Sequence, residues 1–155
     1  MMMNMKKIYF ILSAFVAMAA MVACDEEYVT YNDAEYVMFA EEQSTNMVLA
    51  DQEYFTVPVA STVACAYDRT FGVEVVDKGS NAIEGKHYRL LSNSVTIPAG
   101  ELAADVKVAG LYENIEPTDS LGFVLKLVMP EQLKFNLYEG SDQTKVVMYK
   151  SCPFD

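Results

Sequence analysis

From Tyr36 to Tyr149, apolar side chains recur at every second position in short runs. Gly, Pro, Asn and Asp break these runs at intervals of about ten residues. Phe71, Val73 and Val75 alternate with Gly72 and Glu74, and Val106 and Val108 with Asp105 and Lys107. Phe123, Leu125 and Leu127 alternate with Val124 and Lys126. A period of two buries one face of a segment and wets the other, which is strand geometry. No long stretch after Cys24 keeps a helical period. The expected fold is all-β: an antiparallel two-sheet β-sandwich of seven to nine strands with little helix.

Segment by segment, Tyr36 to Phe39 reads as the first strand and the polar run Glu41 to Asn46 as a turn. Tyr54 to Ala64 is extended, and Pro58, which has no N–H to donate, places that strand at a sheet edge or a bulge. Between Ile83 and Tyr112 the chain offers an anchoring Tyr88, inward Val95 and Ile97, the turn Pro98-Ala99-Gly100, and inward Val106 and Val108. Residues 133–138 alternate again and read as a strand, with Leu133, Phe135 and Leu137 set against Lys134 and Asn136. Glu139 to Asp142 reads as a turn, and Lys145 to Tyr149 as the last strand.

The N-terminus reads as an address. Lys6 and Lys7 precede an apolar run from Ile8 to Ala23, shorter than the ~20 residues that span a bilayer, and then comes Cys24. Met21-Val22-Ala23-Cys24 resembles a bacterial lipobox. That resemblance implies cleavage before Cys24, a diacylglycerol on its thiol, and acylation of the new amino group, which together anchor a protein stably to a membrane. A plain secretory signal with an incidental cysteine is the simpler alternative. Asp25, Glu26 and Glu27 follow. They read either as an acidic linker or, by resemblance to Bacteroidetes-type lipoproteins, as the signal sending such proteins to the outer face of the outer membrane; in enteric-type bacteria an aspartate there tends to mark retention at the inner membrane. The expected organisation is a leader over 1–23, an acidic tether over 24–34, a sandwich over 35–150 and a tail over 151–155.

Charge narrows the partners. All 22 acidic residues lie at or after Asp25, against nine of the 11 basic ones, so the chain beyond the leader carries about −13. Phosphate backbones would repel such a domain, and nucleic acid is not an expected partner.

The segment from Ala82 to Leu127 resembles Calx-beta-like sandwich modules. It carries a small residue (Ala82), Gly85-Lys86-His87-Tyr88, a strand ending Pro98-Ala99-Gly100-Glu101, the valine-rich Val106-Lys107-Val108, the acidic loop Glu113 to Asp119, and Phe123-Val124-Leu125-Lys126-Leu127. Paired with a lipobox, the pattern is most similar to uncharacterised Bacteroidetes-type surface lipoproteins with such a Calx-beta-like or immunoglobulin-like domain. Calcium-binding members usually have aspartate where this chain has His87, and an Asp-Asp pair where it has Tyr112-Glu113-Asn114. The resemblance therefore implies no calcium site, and no metal or other cofactor is expected. In related lipoproteins an element like Cys152-Pro153-Phe154 leads into a second domain.

Few residues suggest chemistry. His87 is the sole histidine and lacks an accompanying nucleophile motif, so it reads as a strand-edge neighbour of Tyr88. Glu113, Glu116 and Asp119 share one loop, without the opposed placement that glycoside hydrolysis requires. Nine tyrosines and no tryptophan follow Cys24. Flat aromatics stack on sugars, but tyrosine is also a favoured strand residue. Tyr28, Tyr31, Tyr112 and Tyr138 are the candidate platforms, with Tyr112 and Tyr138 foremost. Cys65 and Cys152 remain as two thiols or a disulfide, which sequence separation does not decide.

The expected function is that of a non-catalytic, lipid-anchored cell-surface protein. It would serve as an accessory ligand-binding (glycan) or spacer module of a nutrient-uptake system, its contacts made by loops at the end far from the anchor. The alternative is a structural or adhesive protein–protein interaction module.

Overall fold

The computed structural model describes residues 35–133 and 135–151. Cys24, the acidic triplet Asp25 to Glu27, Tyr28, Tyr31, Lys134 and Cys152 lie outside the described residues.

Ten strands form two five-stranded sheets among the described residues. They are β1 (Tyr36–Phe39), β2 (Gln43–Val48), β3 (Phe55–Ser61), β4 (Arg69–Val76), β5 (Tyr88–Leu90), β6 (Ser94–Ile97), β7 (Ala103–Gly110), β8 (Leu121–Val128), β9 (Asn136–Leu137) and β10 (Gln143–Lys150). One sheet runs β5-β7-β3-β1-β9 and the other β2-β10-β8-β4-β6. The helical content of the described residues is a single 3-10 turn, Tyr112–Asn114.

The alternating pattern does what its period requires. Phe71, Val73, Val95, Ile97, Val106, Val108, Phe123, Leu125 and Leu127 all lie in one buried cluster between the sheets. Burying a side chain of this class is worth roughly 1.5–3 kcal/mol relative to leaving it exposed. Phe135 joins the cluster and meets Phe71 edge-on, with centroids 5.7 Å apart.

Three expectations are corrected. The polar run Glu41 to Asn46 is not a turn: from Gln43 it is strand β2, paired in parallel with β10 over Gln43–Val48. Two of its three inward positions, Ser44 and Asn46, are polar, with buried Val48 the third; Asn46 Nδ2 donates to Ser44 Oγ at 2.7 Å, so one partner sits on the same face. Pro58 is neither at an edge nor at a bulge. Strand β3 lies between β7 and β1, with Pro58 in regular register opposite Asp105. The Pro58 carbonyl accepts from Ala40 N–H at 3.0 Å. The ring nitrogen points the same way, to where β1 has already ended at Phe39, so no ladder bond is lost. The strand expected over 133–138 shrinks to Asn136–Leu137.

Two of the pairings are parallel, β1 with β9 and β2 with β10. The first strands and the last therefore run side by side in one direction and cross together from one sheet to the other. Phe39 N–H donates to Ser141 O at 2.9 Å and Lys145 N–H to Glu42 O at 3.0 Å, stitching that crossing.

Registers also fix the two ends. Val37 opposes Ser61 and Ala60 opposes Ala103, so the start of β1, the end of β3 and the start of β7 share the end where Glu35 enters, the near end. The far end carries the end of β7, the 3-10 turn, the loop after β4, and Ser151, whose N–H donates to Val48 O at 3.0 Å.

Candidate functional site

At the near end, β9 places Tyr138 beside Tyr36 of β1. The register aligns Asn136 with Tyr36, and Asn136 N–H donates to Glu35 O at 2.8 Å. The two tyrosine rings meet edge to face, with centroids 5.6 Å apart and planes at 81°. Tyr36 is half-buried, whereas Tyr138 is 51% exposed and leaves ring surface open to solvent. Together with Asn136, Leu137 and Glu139 they line an open cleft of about 580 Å³. An aromatic floor with an amide and a carboxylate at its rim can hold a flat, hydroxyl-bearing ligand by stacking and directional hydrogen bonds.

Tyr112 sits differently. Its hydroxyl donates to Ser151 O at 3.4 Å, and Lys150 Nζ lies over its ring, 4.2 Å from the centroid. One ring face is thus covered by a lysine. Counting residues along β7 separates Tyr112 from Tyr138 by roughly 25–30 Å. The two foremost candidates lie at opposite ends and do not form one site.

His87 is buried, and its Nδ1 accepts from Ile83 N–H at 2.9 Å. That donor requires Nδ1 to be unprotonated, and the imidazole serves as a local brace for the turn before β5. Glu116 and Asp119 bond within their own loop: Glu116 N–H donates to Asp119 Oδ2 at 3.3 Å, and Asp119 N–H to Glu116 O at 3.0 Å. Among the described residues, no three His, Cys, Asp or Glu side chains converge at metal-ligand spacing. Cys65 is half-buried at the near end, where its carbonyl accepts from Gly100 N–H, whereas Ser151 lies at the far end.

Two structural residues went unread in the sequence. Arg69 is 0% exposed. Its Nη1 donates to Val63 O at 2.6 Å and Ser61 Oγ at 3.3 Å, and its Nη2 to Glu101 O at 2.6 Å and Pro98 O at 3.3 Å. It ties three near-end segments together through backbone carbonyls and the Ser61 hydroxyl. The signal was its parity with Phe71 and Val73, which points it inward. Asn81 is the second. Its Oδ1 accepts from Gly122 N–H at 2.6 Å, while its own N–H donates to Gly122 O at 2.8 Å, continuing the ladder of β8 beyond the end of β4.

No family model matches the chain, and no curated protein sequence matches it. Solved structures do. The apo-form Calx CBD1 domain superimposes with a TM-score of 0.60 at 14% identity, covering 77% of this chain and 100% of that one. A two-domain protein of unknown function from Bacteroides fragilis gives 0.56 at 13% identity, over 76% of this chain and 46% of that one. A putative carbohydrate-binding protein from Bacteroides ovatus gives 0.52 at 15% identity, over 76% of this chain and 37% of that one. The chain thus spans less than half the length of these two Bacteroides structures. At such identities the likeness shows the fold, and the fold is a Calx-beta-like β-sandwich.

Proposed function

We propose that this protein is a non-catalytic, lipid-anchored cell-surface binding module that takes glycan ligands as an accessory of a nutrient-uptake system. The observation that carries this reading is the exposed Tyr138 ring braced edge-on by Tyr36 over an open polar-rimmed cleft. The putative carbohydrate-binding protein of the same fold is compatible with it. Anchoring would run through Cys24, with Asp25, Glu26 and Glu27 directing the protein to the outer face of the outer membrane. Eleven peptide units from Cys24 to Glu35 reach at most roughly 40 Å, so the near-end cleft stays within that distance of the bilayer surface. The ligand contact is thereby moved from the far-end loops, where the sequence placed it, to the near end.

A second reading rests on the outer face of β2 and β10. Met47 and Tyr149 are register partners there, both exposed, and Leu49 follows, also exposed. An apolar strip beside an open strand edge suits a protein partner.

A glycan-array screen of the protein separates the two. Saturable binding that Tyr138→Ala abolishes and Tyr112→Ala leaves intact supports the glycan reading. Silence across the array, with a folded protein by circular dichroism, defeats it in favour of the spacer or protein-partner role.

A further inference from the structure

The far end holds a second cleft, independent of the tyrosine pair. It measures about 470 Å³ and lies between the end of β4 and the start of β5, walled by Val75, Asp77, Ala82, Ile83, Glu84 and Tyr88. Three of its polar side chains, Asp77, Glu84 and Tyr88, are without a partner among the described residues. Tyr88 is 0% exposed, and its hydroxyl has no hydrogen-bond partner among the described residues. Asp77 and Glu84 are exposed, and among the described residues no cationic group lies within ion-pair distance of either; the ion pair found there is Lys126 with Glu74, elsewhere. Both carboxylates stand close enough to the Tyr88 hydroxyl for their charge to add to the effect of burial, which pushes it up to about 12.

The remaining walls are apolar or already committed. Ile83, 56% exposed, half-buried Val75 and buried Ala82 supply the apolar part of the same lining. Ser80 and Asn81 also border the cleft. Ser80 Oγ donates to Val76 O at 2.6 Å and accepts from Val124 N–H at 3.0 Å, and Asn81 is engaged with Gly122. Their side chains hold the rim in place and leave no competing arm in the cleft.

The geometry points to a binding site for a primary alkylammonium group, the lysine side chain of a partner polypeptide, with Asp77 and Glu84 holding the charge, the Tyr88 hydroxyl accepting one N–H, and Ile83 with Val75 packing the methylene stem. An ammonium offers three donors on one charge, which suits two carboxylates and a hydroxyl, whereas a hard divalent cation calls for six to eight oxygens. A buried hydroxyl without a partner costs free energy until a donor reaches it, so the free site is built for a ligand. The surrounding negative charge of the domain raises the local concentration of cations.

The test is a titration of the isotope-labelled full chain, purified in nonionic detergent, followed by amide NMR. The probes are n-butylammonium chloride, n-butanol, calcium chloride, glucosamine and the peptide acetyl-Ala-Lys-Ala-amide. Saturable shifts at Gly79, Ile83 and Glu84 with butylammonium and the peptide, and none with butanol, are expected. Asp77→Asn combined with Glu84→Gln should weaken the peptide by more than about tenfold, and Tyr88→Phe by about three- to tenfold. Equal shifts with butanol, or saturation by calcium with the amines silent, would overturn the site. Preference for glucosamine over the peptide would overturn the lysine assignment. Absence of any saturable shift in the folded protein would sink the proposal outright.

Discussion

Tyr88 and Phe123 lie face to face, centroids 3.8 Å apart and planes 5° apart, one carried by β5 and the other by β8. They join the two sheets near the far end, and both are 0% exposed. Phe123→Ala would open a cavity against the Tyr88 ring and is expected to lower stability by about 3–5 kcal/mol, read as a shift in urea midpoint at unchanged slope.

Tyr88→Phe keeps the stack and removes only the unpartnered hydroxyl, so at neutral pH it should be neutral or mildly stabilising. At high pH the two proteins should diverge. The folded state holds the Tyr88 proton up to about 12, and the ordinary value is 10.0. Below pH 10 the favourable state is fully populated; between pH 10 and 12 the unfolded chain ionises first and stability falls. Urea melts across that window should show the wild type losing stability relative to Tyr88→Phe. Parallel curves would mean the phenol is not buried as described.

Arg69→Lys should cost about 2–4 kcal/mol despite keeping the charge. An ammonium cannot span Val63 O and Glu101 O at once as the two guanidinium nitrogens do. Arg69 is fully enclosed, so the shortfall leaves buried acceptors unmet. Thermal denaturation reads the effect. A melting temperature equal to wild type would contradict the account.

Gly110→Ala addresses a contact between sheets. A β-carbon at Gly110 would come within 2.6 Å of Val48 Cγ1 and 2.7 Å of Cγ2. Val48 is buried and β-branched, with little rotamer freedom to yield. A loss of about 1–3 kcal/mol is expected, and Gly110→Ala with Val48→Ala should recover part of it in a double-mutant cycle.

His87→Ala strips the acceptor from Ile83 N–H and loosens the turn that sets Glu84 and Tyr88. A destabilisation of about 1–2 kcal/mol is expected, with faster amide exchange at Ile83 as the local readout. Unchanged exchange there would exclude the brace.

Much of this fold was legible because its strands are amphipathic in the simplest way. Phe71 with Val73, Val106 with Val108, and Phe123 through Leu127 each declared an inner face, and each is buried on it. What escaped notice was non-local or satisfied by side chains. Strand β2 was hidden because Ser44 and Asn46 occupy two of its three inner positions and bond each other, leaving Val48 as its one apolar inward residue. The central place of Pro58 could not be inferred without knowing that β1 stops one residue too early to need its N–H. Tyr138 drew attention as an isolated aromatic, but its partner Tyr36 is supplied by the opposite end of the chain, through the parallel β1–β9 pairing. The far-end cleft has the same origin. Asp77, Glu84 and Tyr88 read as loop charges and a core anchor until the turn at Gly85, with φ at 84°, brings them around one space.

The parallel course of the first and last strands bears on how this domain carries force. The chain enters at Glu35 at one end and leaves through Ser151 at the other, so tension between these points runs along the strands. Strands β2 and β10 are paired in parallel from Gln43–Lys145 to Val48–Lys150, and such a pull slides one past the other. All the hydrogen bonds of that ladder are then loaded together in shear, instead of being peeled one at a time. A pull between these two points would therefore be resisted by the whole β2–β10 ladder at once.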